Sequence, residues 1–398
     1  MRIKGLLAFV FYLFSASSFA VLSQPVVKKN IFGSSASSYV PPVENTETAA
    51  KKGDFNITGY IDGSYNYMMK SNKFTSGVYD RVYDLATSGF SLQQADVKLA
   101  YQPPTGFGAM TNLIVGRDAI QIAPAGFNAK AFNSKNFGFV TPETYVQYVK
   151  NNYTFMLGEF YSLSGIEEIA YPQNINFSRS ILFGYAESGS AIGVGVADKM
   201  SDKLTLTAKL LNGWSTIKQP QKLQAAEFNI NYAATDAFSV STDLYTGKNY
   251  LTDIADSGPS GWRNLFDIYA SYKWNPQLTF SVNGDYGMQT KAPLTNGLNG
   301  RVTWEGIAGY VNYFLNENWR LAARMEMFDD LSGYRTGVSQ NWREMTLTVG
   351  YYIIKHLQVF GEARYDISNA TAFQNKTGFG LGTSNRSYAL NVLYDFDL

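Results

Sequence analysis

The residues that could carry out covalent or proton-transfer chemistry are few in this sequence. The chain contains one histidine, His356, and no cysteine. The absence of cysteine excludes disulfides, thiolate catalysis and cysteine-based zinc sites. Hydrolases and acyltransferases usually need a histidine beside a serine or an aspartate, whereas His356 follows Lys355 in a predicted two-residue turn. We therefore expect that the chain is not an enzyme.

Metal, phosphate and nucleic-acid sites find equally little support. Glu167 and Glu168 are adjacent carboxylates that could bind calcium, but neighbouring acids in a loop are usually only solvated. The glycine-rich run 378–383 matches no phosphate-binding pattern and opens no helix. A net charge of +1 gives no basic excess for binding nucleic acid. We predict no metal, no cofactor and no nucleic-acid partner.

Two groups of charged residues could act on a solute through their electric field. One group lies in the polar stretch 162–186, and the other occupies alternating positions nearer the C-terminus. The groups are Glu167, Glu168 and Arg179, and Arg320, Arg324 and Arg364, respectively. An acidic loop opposite a basic wall would create a transverse field that orients dipolar solutes. Alternatively, the arginines pair locally with Glu326, Glu362 and Asp366, and such cross-strand pairs contribute little.

The elements that would hold these residues are β-strands. From Phe55 onward, apolar and polar residues alternate with a period of two, which indicates strands with two unlike faces. In one run, Leu204, Leu206 and Leu210 oppose Lys209. Short turns are expected near 103–106, 150–152, 199–203, 234–236, 275–276, 316–318 and 355–356, and long loops near 70–88, 118–136, 162–186, 213–222, 247–262, 289–300, 329–341 and 369–385. These connectors divide the chain into about 16 strands.

The N-terminal segment has the features of an export signal. Residues 1–20 combine Arg2 and Lys4 with an apolar run and a small-residue cleavage site, as in a secretory signal peptide. Residues 21–54 have the composition of a flexible leader, and the strand pattern fills 55–398. No later run is long and apolar enough for a transmembrane helix. We therefore predict that the mature protein leaves the cytoplasm and is not anchored by a transmembrane helix.

The distribution of charge indicates which face of the strands meets lipid. Charged residues avoid the middle of the apolar face, where Lys or Arg would cost about 2–4 kcal/mol in a bilayer. Aromatic residues on this face gather near the short turns, as at a membrane interface. They are Tyr101, Tyr232, Phe238, Tyr272, Trp274, Tyr313 and Trp319. The pattern predicts an all-β fold, a transmembrane antiparallel β-barrel with short periplasmic turns and long extracellular loops. A soluble β-sandwich or propeller is the alternative.

The opposite face of the strands would line an aqueous lumen. Its predicted pore-lining residues are Asp96, Lys98, Lys209, Asp243, Asp267, Lys273, Asp285, Glu326, Glu362 and Asp366. Acids outnumber bases on this face, which predicts a weak preference for cations. The longest connector, 162–186, would fold inward and narrow the pore, since Gly193 and Gly195 on the next strand leave room for it. An ordinary external loop is the alternative.

Residues 158–216 resemble a known family. The segments GEFYSLSGIE (158–167), NFSRSILF (176–183), SDKLTL (201–206) and LNGW (211–214) follow one another as in the OmpL-like beta-barrel porins. Glu187, Ser188 and Gly189 stand where such sequences often carry Pro and His. The resemblance implies pore formation in the outer membrane.

We therefore expect a porin, a channel for passive diffusion of small hydrophilic solutes or ions. A surface-displayed adhesin or receptor that does not conduct is the alternative. Expected partners are outer-membrane lipid and lipopolysaccharide, other copies of the chain in a homotrimer, and the barrel-insertion machinery. The machinery would recognise the C-terminal strand, which carries Phe396 and ends in Leu398.

Overall fold

The computed structural model describes residues 55–71, 73–74, 76, 80–85, 88–124, 137–217, 225–250, 260–293, 299–376 and 381–397. The predicted signal peptide 1–20, the predicted leader 21–54 and Leu398 lie outside the described residues. Parts of several long connectors lie outside them as well. Within the described residues, no helix is long and apolar enough to cross a membrane.

Sixteen antiparallel strands form one closed sheet. They are β1 (Phe55–Met68), β2 (Ser88–Tyr101), β3 (Gly106–Gly116), β4 (Thr144–Lys150), β5 (Tyr153–Phe160), β6 (Ala191–Lys199), β7 (Leu204–Leu211), β8 (Ala225–Ala233), β9 (Phe238–Tyr250), β10 (Ser260–Lys273), β11 (Leu278–Pro293), β12 (Asn299–Phe314), β13 (Trp319–Asp330), β14 (Gln340–Ile354), β15 (Leu357–Ser368) and β16 (Ser384–Asp397). Each strand pairs with its neighbours in sequence, and β16 pairs with β1 from Thr58 opposite Asp397 to Met68 opposite Ser387. This ring leaves no open sheet edge. The predicted barrel is confirmed.

Short elements supplement the ring. A short strand at Gly138–Val140 pairs with the last residues of β3. A second pair of short strands joins Phe373–Gln374 to Leu381–Gly382. Helical turns comprise α1 (Ala119–Ile122), a 3₁₀ turn (Tyr171–Gln173) and a π-helical turn (Leu182–Ala186). The seven predicted short turns all fall between strands, at one end of the barrel, which we call the turn end. The long connectors lie at the other end, the loop end.

The two faces of the barrel have opposite polarity, as the alternation predicts. Leu347 on β14 and Leu390 on β16 are 52% and 53% exposed on the outer face. Asp267 on β10 and Arg324 on β13 are fully buried on the inner face. This arrangement is the reverse of that in a soluble protein, and it places apolar side chains toward lipid.

The inner face is not polar throughout. At the loop end, inward-facing Trp304, Phe328 and Trp342 form an apolar cluster inside the barrel with Phe74 and Phe373 from the first and last long loops. The ring centroids of Phe74 and Trp342 are 5.0 Å apart in an edge-to-face arrangement. Loop residues therefore pack inside the barrel on this side. The sequence predicted a polar, water-filled interior and did not predict this apolar cluster.

Candidate functional site

The connection between β5 and β6, residues 161–190, runs through the interior of the barrel, and we call it the inner loop. It first follows β8 and β11, where the Leu163 amide donates to Glu227 and the Ile166 amide donates to Asn283. It later reaches the opposite side, where the Phe177 amide donates to Glu362 on β15. The predicted inward course of 162–186 agrees with these contacts.

Arg324 on β13 is the main side chain that holds the inner loop against the wall. Its Nη1 atom lies 2.7 Å from Glu167 Oε1, and its Nε atom lies 3.0 Å from Glu344 Oε2 on β14. The guanidinium group also donates to the backbone carbonyls of Ser178 and Arg179 at 2.7 and 3.2 Å. Because Arg324 is fully buried, these charge-assisted contacts are shielded from solvent.

The carboxylates beside Arg324 bind backbone amides of the inner loop. Glu326 accepts from the amides of Ile181 and Leu182, and it lies 3.6 Å from Arg324. Glu362 accepts from the amide of Ser178 at 3.0 Å. Backbone donors that would otherwise be buried without a partner are satisfied in this way. The loop is therefore bound through its main chain as well as through Glu167.

Arg364 and Arg320, the other predicted wall arginines, also contact the inner loop, and Arg364 shares the Arg179 carbonyl and Glu344 with Arg324. Arg364 donates to Asp366 at 2.7 Å and to the Arg179 carbonyl at 2.6 Å. Arg320 donates to the carbonyl of Ile175, and its guanidinium carbon lies 4.9 Å from the ring of Phe360. The wall arginines thus contact the inner loop and also pair with acids on neighbouring strands. Glu167 and Arg324 are in direct contact, so no open space separates them.

Arg179 and Glu168 form contacts within the inner loop itself. Arg179 donates to the carbonyls of Glu168 and Ile169, and its guanidinium carbon lies 4.2 Å from the ring of Tyr171. Tyr171 in turn donates to Asp118 at 2.8 Å. Burial raises the pKa of Asp118 to about 6, although hydrogen bonds from Tyr171 and Gln94 lower it. The structure brings all six predicted constriction residues to the inner loop or to the wall it contacts.

The wall formed by β7 to β11 carries most of the other predicted lining residues. Lys209 Nζ lies 3.0 Å from Glu227 Oε2 and donates to the Tyr161 carbonyl. Asp243, Asp267 and Asp285 are buried on neighbouring strands. This wall therefore holds more buried acid than base.

Two predicted lining residues are less enclosed than the others. Lys98 on β2 is half-buried, with its Nζ atom 3.8 Å from Glu143 Oε2, and Lys273 is exposed at the turn end. Asp96, near Lys98, accepts from Asn112 at 2.6 Å. His356 lies in a short turn at the turn end, as predicted, and its Nδ1 atom lies 2.9 Å from Asp395 Oδ2.

A group of cations near the loop end was missed by the sequence reasoning. The guanidinium carbons of Arg263 and Arg335 lie 4.8 and 5.8 Å from the ring of Trp214, and those of both also approach Trp304. Burial and the charge of Arg263 lower the pKa of Arg335 to about 10. Arg81, from the first long loop, also reaches Asp366 at 3.0 Å. These arginines lie in loops or at strand ends, where no periodicity marks an inward side chain.

A cavity lies beside the inner loop and is bordered by one of these cations, Arg335. It holds about 170 Å³ and is lined by Glu167, Glu168 and Glu187 together with Trp214 and Arg335. Burial, followed by the charges of Asp285 and Asp267, raises the pKa of Glu187 well above its usual range. The cavity thus presents carboxyl groups, a guanidinium group and an aromatic ring to one space.

Solved structures with a similar fold are outer-membrane proteins. The channel DcaP of Acinetobacter baumannii is 18% identical, with 88% of this chain and 100% of that chain covered and a TM-score of 0.59. An anion-selective porin from Comamonas acidovorans is 12% identical, with coverage of 86% and 100% and a TM-score of 0.58. In-vitro folded OmpT of Vibrio cholerae is 10% identical, with coverage of 87% and 99% and a TM-score of 0.56. At these identities the similarity concerns the fold alone.

No curated protein matches the sequence. A family model does match, and its span of residues 54–396 extends the resemblance seen at 158–216 to the whole barrel. The ring of sixteen strands, the reversed polarity of its faces and the loop within it agree with that assignment. The chain belongs to the family described as "Putative beta-barrel porin-2, OmpL-like".

Proposed function

We propose that this protein is an outer-membrane porin, a channel through which small hydrophilic solutes or ions diffuse passively. The observation that carries the proposal is the reversed polarity of a closed barrel, with apolar side chains outside and charged side chains inside. Only a lipid exterior and a polar interior stabilise that distribution. The lone histidine is bound to Asp395 at the turn end, away from the charged residues of the interior, so catalysis is not part of the proposal.

The inner loop would form the constriction. The contacts of 162–186 with β8, β11 and β13 to β15 support this role because they hold the loop across the interior. Glu167, Glu168 and Arg179 would contribute from the loop, and Arg320, Arg324 and Arg364 from the wall. The cavity with three carboxyl groups and Arg335 favours dipolar solutes over apolar ones.

The cellular setting follows from the same proposal. Residues 1–20 would direct export, and 21–54 would form a leader on the periplasmic side, where the turn end would lie. The barrel would contact lipid and lipopolysaccharide of a Gram-negative outer membrane, after recognition of β16 by the insertion machinery. A homotrimer is proposed by comparison with OmpT of Vibrio cholerae, for which a trimer form is described.

Planar-bilayer recording tests the proposed channel directly. Purified protein should produce stepwise currents in KCl, because water and ions would pass beside the inner loop. The matched control is the same protein after boiling, which should give no steps. Folded protein that inserts without conducting would instead favour the surface-displayed adhesin or receptor.

Ion selectivity gives a second expected result. Across a KCl gradient, the reversal potential should indicate cation preference, because buried acids exceed bases on the β7 to β11 wall. The preference should weaken as ionic strength rises, since salt screens these charges. Anion preference, as the printed name of the Comamonas porin records for that protein, would contradict this prediction.

A further inference from the structure

Three aspartates form a row across the inner face. In the strand register, Asp243 on β9 lies opposite Asp267 on β10, and Asp267 lies opposite Asp285 on β11. All three side chains are buried. Like charges directly opposite each other on adjacent strands destabilise a sheet. A positive charge near the row would remove that repulsion.

The end of the inner loop adds a fourth carboxyl group. Carboxylate oxygens of Glu187, Asp267 and Asp285 lie within 4.8 Å of one another. Gly165, at φ +88°, passes so close that an added Cβ atom would lie 2.1 Å from Glu187 Oε2. The backbone of the loop therefore closes over the group and holds Glu187 beside the wall.

Among the described residues, no lysine or arginine forms an ion pair with Glu187, Asp267 or Asp285. Asp285 is only 5% exposed, and in the part of the chain that the structure describes its carboxyl group contacts no N–H or hydroxyl donor, its one hydrogen-bonding neighbour being the carboxyl group of Asp267. Asp267 accepts from Asn283 through its Oδ2 atom and from the backbone amide of Gly165. It also shares a hydrogen bond with Asp285, but none of these partners carries a positive charge. Lys209, on the same wall, is already paired with Glu227. Burying ionised carboxylates in this way is unfavourable unless a proton or a cation neutralises them.

We propose that Glu187, Asp267 and Asp285 bind a calcium ion. The available ligands are all oxygens, which hard divalent cations prefer, and no nitrogen or sulfur ligand is present in the group. Ca²⁺ tolerates irregular oxygen geometry, whereas Mg²⁺ requires near-ideal octahedral coordination. The ion fastens the C-terminal end of the inner loop to β10 and β11, opposite the Arg324 contacts. The sequence suggested Glu167 and Glu168 as an example of a carboxylate pair that could bind calcium, and neither belongs to this group.

Terbium luminescence provides a specific test, because the indole of Trp304 lies close to the site. Trp304 Nε1 donates to the carbonyl of Ala186, the residue before Glu187, at 3.2 Å. Excitation of this indole should therefore sensitise emission from Tb³⁺ bound in place of Ca²⁺. The full chain, folded in detergent micelles without lipopolysaccharide and treated with chelator, should show emission that Ca²⁺ displaces at lower concentration than Mg²⁺.

Variants identify the ligands. Asp285→Asn and Glu187→Gln should each weaken Tb³⁺ and Ca²⁺ binding at least about tenfold, because ligand charge sets affinity. Asp96→Asn is the matched control, a buried inward-facing carboxyl on β2 that already has a donor in Asn112. Its binding should equal that of the parent. Heat-modifiable migration on gels establishes that each variant is folded.

Two outcomes would overturn the calcium site. One is a folded parent protein that shows neither sensitised emission nor calorimetric Ca²⁺ binding, and the other is unchanged binding in the variants. If Asp285→Asn does not fold, Glu187→Gln decides, because Glu187 lies outside the strands. No step of the test uses conduction, so its result is independent of the proposed channel.

Discussion

Replacing Arg324 with alanine should destabilise the barrel by about 3–5 kcal/mol, the range found when one partner of a buried ion pair is removed. Within the described ranges of the chain, the substitution leaves Glu326 and Glu167 buried without an ion-pair partner, and Glu344 keeps only Arg364, 3.8 Å away. Equilibrium unfolding in lipid vesicles, followed by tryptophan fluorescence, measures the loss. Since the inner loop also loses a wall contact, single-channel currents of the variant should be larger or noisier than those of the parent.

Arg343→Ala is the control for this substitution. Arg343 is an exposed arginine on β14 that donates to Asn341, and exposed substitutions usually change stability by about 0.5 kcal/mol or less. Glu168→Ala, which removes a carboxyl group from the cavity, should change ion selectivity more than stability. If Arg324→Ala and Glu168→Ala both conduct and select as the parent does, the constriction is placed wrongly.

Placing an arginine at Leu347 should cost about 2–4 kcal/mol, because the position would face the middle of the bilayer. Leu347 lies near the centre of β14, faces outward and is half exposed. Ile354→Arg provides the comparison, since Ile354 is exposed at the turn end of the same strand, where the cost falls to about 0–1 kcal/mol. Guanidinium unfolding in vesicles measures both. Equal costs at the two positions would remove the evidence for a lipid-facing exterior.

Most of the fold could be predicted because it follows from local patterns. A period of two assigns each residue of a strand to one face, and short polar turns mark where strands reverse. The turns near 150–152 and 355–356 illustrate how closely such signals locate strand ends. Closure of the ring follows as well, because an open edge is not stable in lipid.

Partners within the interior could be predicted only where they lie close together in the sequence, as Arg364 and Asp366 do. The pattern places Arg324 and Glu326 on the same face, and it suggested Glu326 as a partner. In the structure Arg324 does form an ion pair with Glu326 at 3.6 Å, but its shorter contact, at 3.0 Å, is with Glu344, which lies opposite Glu326 in the register. Strand register depends on pairing across the whole sheet, so the contact has no signature within either strand.

Loop contributions were the least accessible to sequence reasoning. Arg81 and Arg335 lie in irregular segments, whose backbone direction is set by the packing of the loop itself. The inward Trp304 and Trp342 break the polar pattern because loops cover them. In the sequence, Glu187 is notable only because such residues as Pro and His often occupy this region in OmpL-like porins. Its proximity to Asp267 and Asp285 depends on how the inner loop folds against the wall.

The seam between β1 and β16 has a consequence for the timing of assembly. It joins Thr58 to Asp397, so the pairing that completes the cylinder involves the two most distant parts of the described chain. Non-local contacts of this kind slow folding, because the entropy of the long intervening chain must be lost before the two strands can pair. A nascent chain that has not yet delivered β16 exposes two unsatisfied strand edges, which are prone to aggregation. Until the final segment pairs with β1, the unfinished sheet therefore keeps an aggregation-prone edge on each side.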